Sequence, residues 1–127
     1  MTYQKKILIV DDNDINKLLI KKMLSKFELD MDFASNGQEA YDMILTKAYD
    51  IVLMDVHMPI LSGLEATKQI RTLEDIYFKE LPIIALTSCI MPTDIDEVYE
   101  YGMNDYQSKP FKIEELLEKI ERLRLAK

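Results

Sequence analysis

The chain has 127 residues, 48% of them hydrophobic, and a formal net charge of −7. That length suits one domain with a real core, and the acidic balance argues against direct binding of DNA or RNA. The single cysteine, Cys89, excludes an internal disulfide and suits a reducing compartment such as the cytoplasm; no apolar stretch reaches membrane-spanning length, and the first residues carry no signal-peptide core.

Ile7 to Val10 is a short apolar run that ends in Asp11 and Asp12. Such a run reads as a buried strand surfacing at its C-terminal end. A helix follows, with Ile15, Leu19, Ile20, Met23, Leu24 and Phe27 at core spacing and Lys17, Lys21, Lys22 and Lys26 opposite. Helix capping would explain one acid before it; two in a row ask for another reason. Met31 to Ala34 alternates apolar and polar, which suits a strand near a sheet edge. Asn36-Gly37 marks a turn. Residues 38–46 then predict a helix with Ala40, Met43, Ile44 and Ala48 turned inward.

Ile51 to Met54 is another apolar run, and it ends in Asp55. Pro59 cannot continue a strand ladder, and Ser62-Gly63 suits the entry of a helix capped by Ser62. That helix spans 64–73, with Ala66, Ile70 and Leu73 inward and Glu65, Lys68 and Arg71 in water. Residues 74–82 read as a connection whose Ile76, Tyr77 and Phe78 cover the bottom of the core. A fourth apolar strand, Ile83 to Leu86, ends in Thr87-Ser88. Pro92 opens a helix to about Tyr101 that carries Asp94, Asp96, Glu97 and Glu100, and Gly102 stops it. Tyr106 to Ser108 is a brief fifth strand before Lys109-Pro110. The last helix sets Ile113, Leu116, Leu117, Ile120 and Leu123 against Glu114, Glu115, Glu118, Lys119 and Arg122.

Strands and helices alternate five times. The pattern predicts a flavodoxin-like (βα)5 fold: a doubly wound parallel sheet, strand order 2-1-3-4-5, helices on both faces. The chain forms a single domain, 1–127, with its core at about 5–124. In this fold ligands bind where the strand order reverses, between the first and third strands. Asp11, Asp12 and Asp55 stand at those strand ends. Three close carboxylates repel one another, so one is protonated or a cation shares the site. Hard oxygen ligands suit Mg2+, with Mn2+ as an alternative, and no Cys/His cluster suggests zinc. Thr87 and Lys109, at the ends of the fourth and fifth strands, add a hydroxyl and an ammonium. Together these groups suit a phosphoryl group, with Asp55 as the nucleophile.

These residues resemble a known family. Ile7 to Asn13 (I-L-I-V-D-D-N), Leu53 to Pro59 (L-M-D-V-H-M-P) with Gly63, Ala85 to Ser88 (A-L-T-S), and Gly102 to Phe111 (G-M-N-D-Y-Q-S-K-P-F) look like the receiver domain of two-component signalling, the phosphoaccepting module of response regulators and hybrid histidine kinases. The resemblance implies that Asp55 accepts a phosphoryl group from a phosphohistidine. By it, Asp12 and Asp55 ligate Mg2+ together with the backbone carbonyl of His57, and Asp11 acts through water. Thr87 and Lys109 would contact the phosphoryl group. Tyr106 matches the switch aromatic that turns inward as Thr87 moves, and the Lys109–Pro110 peptide would be cis. V-D-D-N with Asn16 resembles receivers of hybrid sensor kinases, so the implied partner is a histidine kinase or a histidine phosphotransfer domain. The readout face would be the fourth predicted helix, the fifth strand and the fifth predicted helix, through which the chain would act as a monomer or weak homodimer. Its acids on the fourth predicted helix would suit a basic partner. The chain is then a signalling phosphoacceptor with intrinsic self-phosphotransfer and autodephosphorylation rather than an enzyme.

Ser62 and Ser88 stand where the family often has Asp and Ala. His57 and Cys89 occupy positions that tune phosphoryl lifetime in the family; here they read as a solvent-facing side chain and a small packing residue. Three rival readings compete. A flavodoxin-type electron carrier needs a Ser/Thr/Gly-rich loop where Asp11 to Asp14 stand. A phosphohydrolase needs an acid where His57 stands. A phosphorylation-independent interaction module on the same fold would typically lack a site residue, and none is missing.

Overall fold

The five strands, each flanked by turn or cap residues, pair as one parallel sheet in the computed structural model, which describes residues 5–27, 29–88, 92–109 and 112–125. Strands β1 (Lys5–Val10), β2 (Leu29–Ala34), β3 (Ile51–Asp55), β4 (Ile83–Thr87) and β5 (Asp105–Ser108) lie in the order β2-β1-β3-β4-β5. Helices α1 (Asp14–Leu24), α2 (Gly37–Thr46), α3 (Gly63–Arg71), α5 (Pro92–Glu100) and α6 (Ile113–Leu125) match the five expected ones. A sixth, α4 (Ile76–Glu80), forms inside the stretch read as a connection. The side chain of Asp75 caps it, accepting from Tyr77 N at 2.9 Å.

Alternate residues of each strand face opposite sides, so the sheet divides the core in two. Leu8, Val10, Val52, Met54, Ile83 and Ala85 pack with Ala40, Ile44, Ala66, Ile70 and Val98 from α2, α3 and α5. Ile7, Ile9, Ile51, Leu53, Ile84 and Leu86 pack on the other face with Ile20 and Leu24 of α1 and Leu116 and Ile120 of α6. The central strands are apolar on both sides because helices cover both.

Several side chains depart from expectation. On α1 only Ile20 and Leu24 are buried, whereas Ile15 is 69% and Leu19 53% exposed, and Phe27 lies outside the core as well. The helix covers the sheet with a narrow stripe, and its first turn stands at the rim beyond the strand ends. Ala48 lies past the end of α2 and is exposed. Ile76 is exposed, while Tyr77 and Phe78 pack against the core as expected.

Arg71 was expected in water and instead turns inward. Its guanidinium donates to the carbonyls of Phe78 (2.7 Å) and Gly102 (2.9 Å) and to Asn104 Oδ1 (2.9 Å). Asn104 Oδ1 also accepts from Ile83 N at 2.9 Å. Desolvation lowers the Arg71 pKa from the usual arginine value, but five planar donors let it gather three acceptors from two distant segments. Helical spacing put the residue on a solvent-facing position; acceptors from distant parts of the chain pull it in.

Candidate functional site

Register builds the site. Val10 pairs with Met54, so Asp11, the next residue, stands level with Asp55. Asp55 pairs with Leu86, which places Thr87 one residue beyond it on β4. Thr87 pairs with Ser108, and Lys109 follows, its N–H donating to Thr87 O at 2.8 Å. Asp11, Asp12, Asp55, Thr87 and Lys109 therefore converge at the C-terminal ends of four strands, beside the point where the strand order reverses. Each of the five was expected there.

Asp11 has no solvent exposure and Asp55 is nearly as enclosed, its side chain 13% exposed. Lys109 Nζ lies 3.0 Å from Asp11 Oδ2 and 3.1 Å from Asp55 Oδ2, bridging the two. The other Asp11 oxygen accepts from Asn13 N at 2.9 Å, and Asp55 Oδ1 accepts from His57 N at 3.3 Å. Asp12 is exposed. One carboxylate oxygen from each of Asp11, Asp12 and Asp55 falls within a 4.8 Å cluster. Its donors are all hard oxygens, with no nitrogen or sulfur among them, which suits a hard dication such as Mg2+.

Burial pushes the Asp55 carboxyl above the usual aspartate value; Lys109 and the His57 N–H pull it down, and the Asp11 charge pushes it up. Lys109 is displaced upward: desolvation lowers it, but its bonds to Asp11 and Asp55 win. The shifts describe one fact from two sides. A single ammonium faces two buried acids, and a second cation would relieve the excess negative charge.

The loop after β3 is shaped by close backbone contacts. Gly63 N donates to Val56 O at 2.9 Å, and a Cβ on Gly63 would lie 2.1 Å from the Asp55 carbonyl oxygen. Gly37 at the start of α2 donates to Leu61 O at 3.0 Å, and a Cβ there would lie 2.3 Å from that same oxygen. Between these pins Ile60 has φ 71°, while Leu61 N donates back to Pro59 O at 2.8 Å. This is a γ-turn in the strained hand, unusual for a β-branched residue. Helix entry and the family motif both point to Gly63, but neither signals the backbone oxygen that excludes a side chain there.

Ser62 caps α3 as expected, accepting from Glu65 N at 3.2 Å. Asn13, rather than either preceding acid, caps α1, accepting from Asn16 N at 3.0 Å. That leaves Asp11 to the site. Beside the cluster a small cavity is lined by His57, Thr87, Val98 and Tyr106, among others. His57 is exposed and Tyr106 half-buried. Cys89 and Pro110, and with Pro110 the expected cis peptide, lie outside the described residues.

A parallel 2-1-3-4-5 sheet with buried acids at its switch point and a lysine bridging them is the architecture of a signalling receiver. The chain belongs to the response regulator receiver domain family, whose model matches residues 7–121. It is a receiver domain of two-component phosphorelay signalling. It is 38% identical over 92% of its length to Histidine kinase 5 of Arabidopsis thaliana, of whose length it spans 15%. Among solved structures it resembles the receiver domain of a sensor histidine kinase from Pseudomonas aeruginosa, crystallised with magnesium coordinated in the active site cleft (TM-score 0.88, 35% identity, 96% of this chain and 98% of that one). It also resembles the receiver domain of a Saccharomyces cerevisiae response regulator co-crystallised with a histidine phosphotransfer protein (TM-score 0.86, 30% identity, 98% of this chain and 92% of that one). Among the described residues no helix is long and apolar enough to cross a membrane.

Proposed function

We propose that Asp55 is the phosphoacceptor of this receiver. A carboxylate oxygen of Asp55 forms an O–P bond as the P–N bond of a phosphohistidine breaks, and the leaving imidazole takes a proton from solvent. The observation that carries the reading is the bridge of Lys109 between buried Asp11 and half-buried Asp55. It puts a fixed ammonium where charge gathers on the transferred group. Asp12, Asp55 and the His57 backbone carbonyl would hold Mg2+, or Mn2+ in its place, with Asp11 acting through water; the ion would neutralise phosphoryl oxygens. Thr87 donates to the phosphoryl group and Lys109 pairs with it. Tyr106 follows Thr87 as the switch, and α5, β5 and α6 form the readout face of a chain that is a monomer or pairs there as a weak homodimer. The same site accepts a phosphoryl group from a small donor and releases it to water.

Phos-tag electrophoresis after incubation with acetyl phosphate tests this. The native chain should give a shifted band only with Mg2+, and Asp55→Asn should give none. No shift in native protein shown separately to bind Mg2+ would favour the phosphorylation-independent module instead.

The physiological donor is a histidine kinase or a histidine phosphotransfer domain, and the whole protein is a hybrid kinase or a stand-alone regulator that works in the cytoplasm. Residues 1–127 act as one unit. Ile15, Leu18 and Leu19 are 69%, 53% and 53% exposed on α1, which starts beside the acids. An apolar patch at the rim of a phosphoryl site suits a protein donor that must dock to deliver. Leu18→Glu should slow uptake from a phosphorylated histidine phosphotransfer protein about tenfold or more, the scale of one buried apolar contact. Uptake from acetyl phosphate should stay native. Equal slowing with both donors would place the defect in the site and remove α1 from docking.

A further inference from the structure

We infer that Lys119 of α6 is a positioning residue that latches Tyr106 in its present place. The inference rests on the reading of Tyr106 as the switch and adds what holds it. Lys119 Nζ donates to the Tyr106 carbonyl at 2.6 Å and to Gln107 Oε1 at 2.9 Å. The same ammonium lies 5.3 Å from the centroid of the Tyr106 ring. One cation therefore fixes both the backbone and the ring of a single residue. Neighbouring contacts steady the strand on either side. Asp105 pairs with Arg122 of α6 and accepts from Tyr106 N at 2.8 Å, and Gln107 Nε2 donates to Glu115 at 3.1 Å.

Tyr106 borders a small cavity that Thr87, His57 and Val98 also line. Turning the ring inward as Thr87 moves would take its face away from the ammonium. The latch thus favours the present state, and whatever withdraws the Lys119 charge favours the other. Lys119 lies on α6, within the proposed readout face. A partner that pairs with its ammonium there would release the switch and, by linkage, promote phosphoryl uptake.

The chain has no tryptophan, so Tyr106→Trp supplies a lone fluorescent reporter at the switch. Its emission is read with and without beryllium trifluoride and Mg2+, in native, Lys119→Met, Lys119→Gln and Lys119→Arg backgrounds. Uptake from acetyl phosphate is measured in the same three Lys119 variants carrying Tyr106, and thermal melting in all of them. Without beryllium trifluoride, Lys119→Met should move the emission part-way to its bound position and raise uptake about three- to tenfold, the scale of one cation–π contact. Lys119→Gln retains a donor for the carbonyl and should act in the same direction; Lys119→Arg should stay native. Native emission and uptake in Lys119→Met and Lys119→Gln, with only the melt lowered, would overturn the latch and leave a structural lysine. A reporter that ignores beryllium trifluoride even with Lys119 intact would instead overturn the switch reading on which the latch depends.

Discussion

Gly63→Ala is expected to destabilise the domain by about 4 kcal/mol or more, enough to leave much of it unfolded. A Cβ at that position would stand 2.1 Å from the Asp55 carbonyl oxygen and 3.1 Å from Met54 Cγ. The oxygen is backbone of a central strand, so it cannot swing aside. Either α3 lifts from β3, opening the packing of Ala66 and Ile70, or β3 shifts and carries Asp55 with it. Urea unfolding followed by circular dichroism measures the loss. Ser62→Ala, one residue earlier, serves as the control and should cost about 1 kcal/mol through its cap alone. If Gly63→Ala unfolded within about 1 kcal/mol of native, the close approach of α3 to β3 would not be a requirement of the fold.

Lys109→Ala should show the second-largest effect, in two separable ways. Phosphoryl uptake should fall about 100-fold or more, as when one positioned donor is removed from a developing anion. The metal-free domain should also lose about 2–3 kcal/mol at neutral pH, because buried Asp11 and half-buried Asp55 lose their shared counter-charge. The pH dependence has a definite sign. Without Lys109, burial and the Asp11 charge raise Asp55 against only the His57 N–H. A carboxyl raised on folding contributes stability that is fully present below its unfolded value and lost as pH rises through its folded value. The deficit of the variant should therefore shrink as pH falls from neutral through the raised Asp55 value and level off below about 4, the unperturbed aspartate range. Saturating Mg2+ should shrink it at neutral pH as well. Denaturant titrations at neutral and acid pH, with and without Mg2+, would measure both. A deficit that ignored pH and Mg2+ alike would mean that Lys109 stabilises through its stem and not through its charge.

The two variants act on the site from different directions. Gly63 sets where the Asp55 backbone lies, and Lys109 sets the charge that its carboxylate meets. Ile60 belongs with the first: its strained turn is held between Gly37 and Gly63, each of which a side chain would displace. The loop that carries His57 is thereby held by two helices at once.

The amino-acid order by itself determined the sheet and most of the site. Apolar runs ending in Asp11, Asp55 and Thr87 mark the C-terminal ends of strands, because a polar group breaks the run where the strand leaves the apolar core; that Asp11 and Thr87 stay buried there is decided by the tertiary structure. Alternation with helices then implies parallel pairing and suits the order 2-1-3-4-5, which brings the acids and Lys109 to one edge. Only the tertiary structure decided features that depend on atoms far apart in the chain. Arg71 sits at a solvent-facing helical position, yet carbonyls at Phe78 and Gly102 draw it inward. Ile15 and Leu19 fit an apolar stripe, yet α1 turns only Ile20 and Leu24 into the core and leaves the other two in water. Gly37 and Gly63 read as turn and helix entry, while the constraint on each is a backbone oxygen from another segment. Lys119 reads as one more exposed charge on an amphipathic helix until β5 lays Tyr106 beneath it. Periodicity records which face of an element turns inward; it does not record where a neighbouring element stops or which polar atoms it presents.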